Sequence, residues 1–120
     1  MAAMGIKATV TPDRQYVRVD LVRDGNPLGH ILLEASDAEG FCKNIAECRK
    51  QLNEEVSTEI DPGSRLQALF NPMWAAISQR IQDRSATLLL LRHPGLGWLP
   101  FLFPPDQAAA LGQQLVDVSK

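Results

Sequence analysis

Two histidines, two cysteines and one glycine-rich segment are the residues through which this chain could do metal or covalent chemistry. A zinc site would have to draw on His30, Cys42, Cys48 and His93, yet no Cys-x-x-Cys or His-x-x-x-His spacing brings any two of them together locally. Cys42 and Cys48 fall on one expected helix, about 120° apart around its axis at ~100° per residue, so they cannot readily pair with each other. Both are expected to be small core fillers. His93-Pro94-Gly95-Leu96-Gly97-Trp98 has glycines spaced as in a phosphate cradle, but it has no Walker lysine and opens no helix. A tight hairpin turn is its expected role. Ser57, Ser64, Ser78 and Ser85 occupy no nucleophile-elbow context, and no carboxylate pair is spaced for acid–base work. The expectation is a protein with no catalytic residue, no metal and no cofactor. Trp74 and Trp98 could stack on bases or sugars, but with aromatics at only 6% they are assigned to core or interface.

Composition narrows the partners. The chain has 120 residues, 45% hydrophobic and 22% charged, with a formal net charge of −2. These values suit one globular domain with a modest core. The acidic balance argues against a general nucleic-acid binder. Arg14, Arg18 and Arg23 could form a basic stripe, but Asp13, Asp20 and Asp24 alternate with them. Met1-Ala2-Ala3-Met4-Gly5 lacks the basic and apolar regions of a signal peptide, and Leu88–Leu91 is too short to span a bilayer. A reducing cytoplasm, and no membrane, is the expectation.

The elements that would hold these residues follow from periodicity. Strands are predicted at Ile6–Thr11, Gln15–Arg23 and Leu28–Glu34, from period-two alternation broken by Pro12-Asp13 and by Asp24-Gly25-Asn26-Pro27. Ser36-Asp37-Ala38-Glu39 reads as a capping box, and Phe41, Ile45, Cys48 and Leu52 make the apolar stripe of the following helix. Glu39 and Lys43 are placed for an i,i+4 ion pair. An acidic connector is expected over 54–64. Beyond it, strands are predicted at Leu66–Phe70 and Trp74–Gln79, although Asn71-Pro72 and the stripe Met73, Ile77, Ile81 leave a helix over 73–84 open. Ala86–Arg92 and Leu96–Phe103 form a hairpin. Pro104-Pro105-Asp106 then opens a helix with Ala108, Leu111, Leu115 and Val118 on its buried side, and Gly112 there suggests close packing.

The chain therefore reads as saying one thing twice. Asp13-Arg14, strand, turn, Leu28-Gly29-His30-Ile31 and a helix answer to Asp83-Arg84, strand, turn, Leu96-Gly97-Trp98-Leu99 and a helix. The expected fold class is α+β, a tandem antiparallel β-meander followed by a helix (βββα-β(β)ββα), with both helices packed on one sheet face. A single domain over 1–120 would contain units at about 5–53 and 65–118 sharing one core.

The second hairpin is apolar on both faces, so Leu88, Leu90, Trp98 and Leu102 are the expected interface residues. The expected function is a small interaction or scaffold protein acting as a homodimer, with another protein as the alternative partner. Duplicated strand-and-helix units are similar in outline to the PUR and PC4-like folds. That resemblance implies single-stranded nucleic-acid binding through Lys7, Tyr16, Arg18 and Arg23. A small-ligand binder or enzyme, with a site assembled in space between helices and sheet, is the third class.

Overall fold

A computed structural model describes residues 3–60 and 68–120. The chain divides into unit 1, Met1–Ile60, and unit 2, Asp61–Lys120. Unit 1 runs β1 (Met4–Val10), β2 (Val17–Arg23), β3 (Asn26–Leu33) and α1 (Ala35–Lys50). Unit 2 runs β4 (Trp74–Ile81), β5 (Arg84–His93), β6 (Gly97–Phe103) and α2 (Pro105–Val118). The protein is thus mixed α+β, with two antiparallel three-stranded sheets ordered β1-β2-β3 and β4-β5-β6. One sheet belongs to each unit, where the sequence suggested a single sheet carrying both helices.

Turn chemistry explains each meander. Gln82 and Asp83 both have positive φ, 49° and 65°, which closes the β4–β5 hairpin with the twist that two-residue turns need. Asp24 and Gly25, at 51° and 81°, do the same between β2 and β3. That tight hairpin excludes the helix over 73–84: Trp74–Ile81 is bonded along its whole length to β5. Of the other strand expected in this region, Leu66–Phe70, residues 68–70 are irregular, and Leu66 and Gln67 lie outside the described residues, as does the Pro62-Gly63 end of the connector.

The β1–β2 connection is longer and is organised by side chains. Thr11 N–H donates to the Tyr16 carbonyl at 3.0 Å and Arg14 N–H to the Thr11 carbonyl at 2.9 Å. The Thr11 hydroxyl donates to Asp13 Oδ1 at 2.6 Å, which also accepts from Gln15 N–H at 3.1 Å. The Thr11 hydrogen bond, and then the Gln15 amide, hold the Asp13 carboxyl below the usual carboxylate range. A depressed folded value means this contribution is present above the unfolded pKa of about 3.9 and is lost as pH falls through the lower folded value. Acidification below pH ~4 is expected to erode amide protection at Gln15 and Tyr16. Asp13→Ala should abolish that acid-dependent loss. Hydrogen exchange followed by NMR checks both.

The first helix starts earlier than its sequence signal suggests, while the second opens at Pro105 as Pro104-Pro105-Asp106 predicts. The N-caps are Glu34 and Pro104, neither with a side-chain capping bond, so Ser36 lies inside the first turn and the capping box is not formed. The reason is that β3 and β6 end at Leu33 and Phe103, and the chain turns directly into helix. Ala38 N–H closes on the Glu34 carbonyl at 2.9 Å and Ala108 N–H on Pro104 at 3.0 Å. Asp37 and Asp106 in the first turns, and Arg49 and Lys50 in the last turn of α1, suit the helix dipole. The ion pair formed on α1 is Lys50 to Glu47 at 2.7 Å, rather than Lys43 to Glu39.

Each helix covers its sheet only in part. α1 touches β3, and α2 touches β5 and β6. β1 is exposed along its whole length, with Ile6 at 71%. No described residue is fully buried, and Cys42 and Cys48, expected as core fillers, are exposed free thiols. Gly112 corrects a second packing expectation, because a Cβ built there meets nothing within 4 Å. Gly112→Ala is therefore expected to raise stability by up to about 1 kcal/mol through helix propensity. A urea titration measures it.

Candidate functional site: two matching sheet faces

Strand pairing sorts every side chain in unit 2. Trp74 pairs with Leu91 and Ala76 with Leu89, while Leu89 and Thr87 face Phe101 and Phe103 on β6. These residues share a face with α2. Trp74, Leu89, Leu91, Phe103, Leu111 and Leu115 line a groove of about 530 Å³ between this sheet face and the helix. Thr87 supplies the only side-chain hydroxyl in that lining, so the groove offers no acid, no base and no charged anchor. Trp74 is 69% exposed at its edge.

The opposite face carries all four residues singled out from the sequence. Ile77, Leu88 and Leu102 form one cross-strand row, and Ala75, Leu90 and Pro100 the next. Arg92 and Trp98 follow as a pair. Leu88, Leu90, Trp98 and Leu102 are thereby brought onto one surface, the one turned away from α2. Ile77, Trp98 and Leu102 are 49%, 42% and 47% exposed. Period-two parity alone places the β5 and β6 residues together; Ile77 needed β4 to be known as a strand.

The segment that resembles a phosphate cradle is the β5–β6 turn. His93 Nδ1 accepts N–H bonds from Gly95 at 2.9 Å and Leu96 at 3.1 Å. The imidazole is therefore occupied in holding the turn, and that nitrogen has no lone pair left for a metal. His30 stands on β3 of unit 1, and Cys42 and Cys48 lie on α1. Among the described residues no three His, Cys, Asp or Glu side chains cluster as a metal site.

Unit 1 sorts in the same way. Met4, Ile6, Ala8 and Val10 share a face with Val17, Val19 and Leu21, and with Ile31 and Leu33. The other face is mixed, with Gly5, Val22 and Leu32 beside its polar residues. Thr9, Arg18 and Leu32 form one row, and Lys7, Asp20 and His30 the next. Of the nucleic-acid set, Lys7 and Arg18 stand together on this face. Arg23 pairs with Met4 on the other, and Tyr16 lies in the loop before β2. Thr9 was not among the sequence candidates and His30 was one only for zinc, because only the register puts Thr9 opposite Arg18 and His30 opposite Asp20.

The two faces occupy equivalent positions. From β2 and β5 through the helices, matching residues are 70 apart: Arg23 and His93, Leu33 and Phe103, Glu34 and Pro104 end or cap corresponding elements. A two-residue turn plus a bulge at Leu28 in unit 1 takes the same length as the three-residue turn at 94–96 in unit 2. The match of Leu28-Gly29 with Leu96-Gly97 is therefore out of register. At this 70-residue offset Arg18 matches Leu88, Asp20 matches Leu90, His30 matches Pro100 and Leu32 matches Leu102. Through their partners on β2 and β5, Thr9 matches Ile77 and Lys7 matches Ala75.

Comparison with known protein families, with curated proteins and with solved structures finds no match. Among the described residues no helix is long and apolar enough to cross a membrane.

Proposed function

We propose that this chain is a tandem duplication acting as a small, non-catalytic interaction or scaffold protein. It works as a homodimer in which a second copy covers the apolar face of the β4–β6 sheet. One observation carries this reading: the face turned away from α2 is apolar across all three strands at Ala75, Ile77, Leu88, Leu90, Pro100 and Leu102. Six adjacent apolar side chains on one sheet surface form a patch of the kind that soluble monomers avoid. Two-fold pairing of identical patches is the commonest way to cover one. Trp98 beside Arg92 at the end of the patch supplies the aromatic and guanidinium pair typical of interface anchors.

Size-exclusion chromatography with light scattering tests the proposal. A mass of twice 13.2 kDa is expected at tens of micromolar. A concentration-independent mass of one chain would overturn it, and co-elution only with another protein would reassign the face to a different partner.

A further inference from the structure

We propose that the matching face of unit 1 is a binding site for a phosphate-class oxyanion. The fold puts six side chains into a block two deep and three strands wide: Thr9, Arg18 and Leu32 in one row, Lys7, Asp20 and His30 in the next. Neighbours across an antiparallel sheet stand about 5 Å apart at Cβ and diagonal ones about 7–8 Å, so Arg18, its partner Thr9 and the diagonal Lys7 lie within the reach of one tetrahedral anion, with His30 on the far side of Asp20. The equivalent block in unit 2 is apolar at every position. The meander therefore does not itself require charge here, and the donors are a feature of unit 1 alone.

The Arg18–Asp20 geometry supports an anion grip. Arg18 Nε donates to Asp20 Oδ1 at 3.0 Å and to Oδ2 at 3.2 Å. Both contacts use Nε. The two Nη groups have no protein acceptor among the described residues, leaving open the planar edge that binds phosphate with two parallel hydrogen bonds. Asp20 is a positioning residue: it fixes the guanidinium plane from one side, and its charge is exceeded by those of Arg18 and Lys7 together. The block is thus locally cationic in a chain of net charge −2.

The test titrates the full chain with inorganic phosphate at constant ionic strength and follows backbone amides by NMR. Saturable shifts are expected at Lys7, Thr9, Arg18 and His30. Arg18→Gln should weaken binding by about tenfold or more, and Arg18→Lys should restore little of it because an ammonium cannot form the paired contact. Lys7→Gln gives an independent loss should Arg18→Gln unfold β2. Parallel titrations with a nucleoside monophosphate and a short single-stranded oligonucleotide identify the source: tighter oligonucleotide binding assigns a phosphodiester chain, and equal or weaker binding assigns a terminal phosphate. Shifts that never saturate, that survive Arg18→Gln, or that spread equally to Arg84 and Arg92 would overturn the site. The readout lies on unit 1 amides, so its outcome is independent of whether the chain dimerises through unit 2.

Discussion

Leu102→Glu is expected to dissociate the proposed dimer, while Leu32→Glu, the matching position in unit 1, leaves it intact. Leu102 sits on the edge strand β6 and pairs with Leu88, the centre of the apolar row. It is 47% exposed within its own subunit, so the carboxylate is tolerated in the monomer. In the dimer it would be a desolvated charge with no partner, costing about 3 kcal/mol or more, which weakens association at least about a hundredfold. Leu32 is similarly exposed, but beside Arg18, where a carboxylate finds a cation. Sedimentation equilibrium of the two variants reads the contrast directly. Equal dissociation constants for both would remove the β4–β6 face from the interface.

The second large effect lies on the other face of the same sheet, at β5. Leu89 stands opposite Ala76 and Phe101 and lines the groove with Leu111 of α2. Leu89→Ala is expected to destabilise the protein by about 2 kcal/mol, the lower end for a leucine truncation, because the site is only half-buried. Urea unfolding measures it. A loss under about 0.5 kcal/mol would mean that α2 contributes little to holding this sheet.

Strand and turn chemistry made much of the architecture legible before any coordinates. Val17, Val19 and Leu21 alternate with polar residues, and Asp24-Gly25 can adopt the positive φ that a tight hairpin needs, so β2 and β3 were readable. The start of α1 was not. Ser36 and Glu39 have the right types for a capping box, but tertiary continuity with β3 starts the helix before Ser36 and leaves the serine inside it. Trp74–Ile81 fits both periods, and what decides it is pairing with β5, a long-range contact that local pattern does not contain.

The candidate sites were legible to the extent that they depend on parity within one hairpin. Leu88, Leu90, Trp98 and Leu102 follow from counting by twos along β5 and β6. The polar block required three strands in register: Lys7 meets Asp20, and Asp20 meets His30, only once both hairpin registers are fixed. The bulge at Leu28 lies on β3, so aligning the two Leu-Gly pairs, 68 residues apart rather than 70, hid the correspondence of His30 with Pro100 and of Leu32 with Leu102.

The most direct measurement is an isotope-filtered NOE experiment on a mixture of labelled and unlabelled chains, in which only contacts between copies give signal. We expect cross-peaks joining the Leu88, Leu90 and Leu102 methyls of one copy to the same methyls and the Trp98 indole of the other. A filtered spectrum empty at these groups, with the chain at the mass of one copy, would contradict a second copy covering this face.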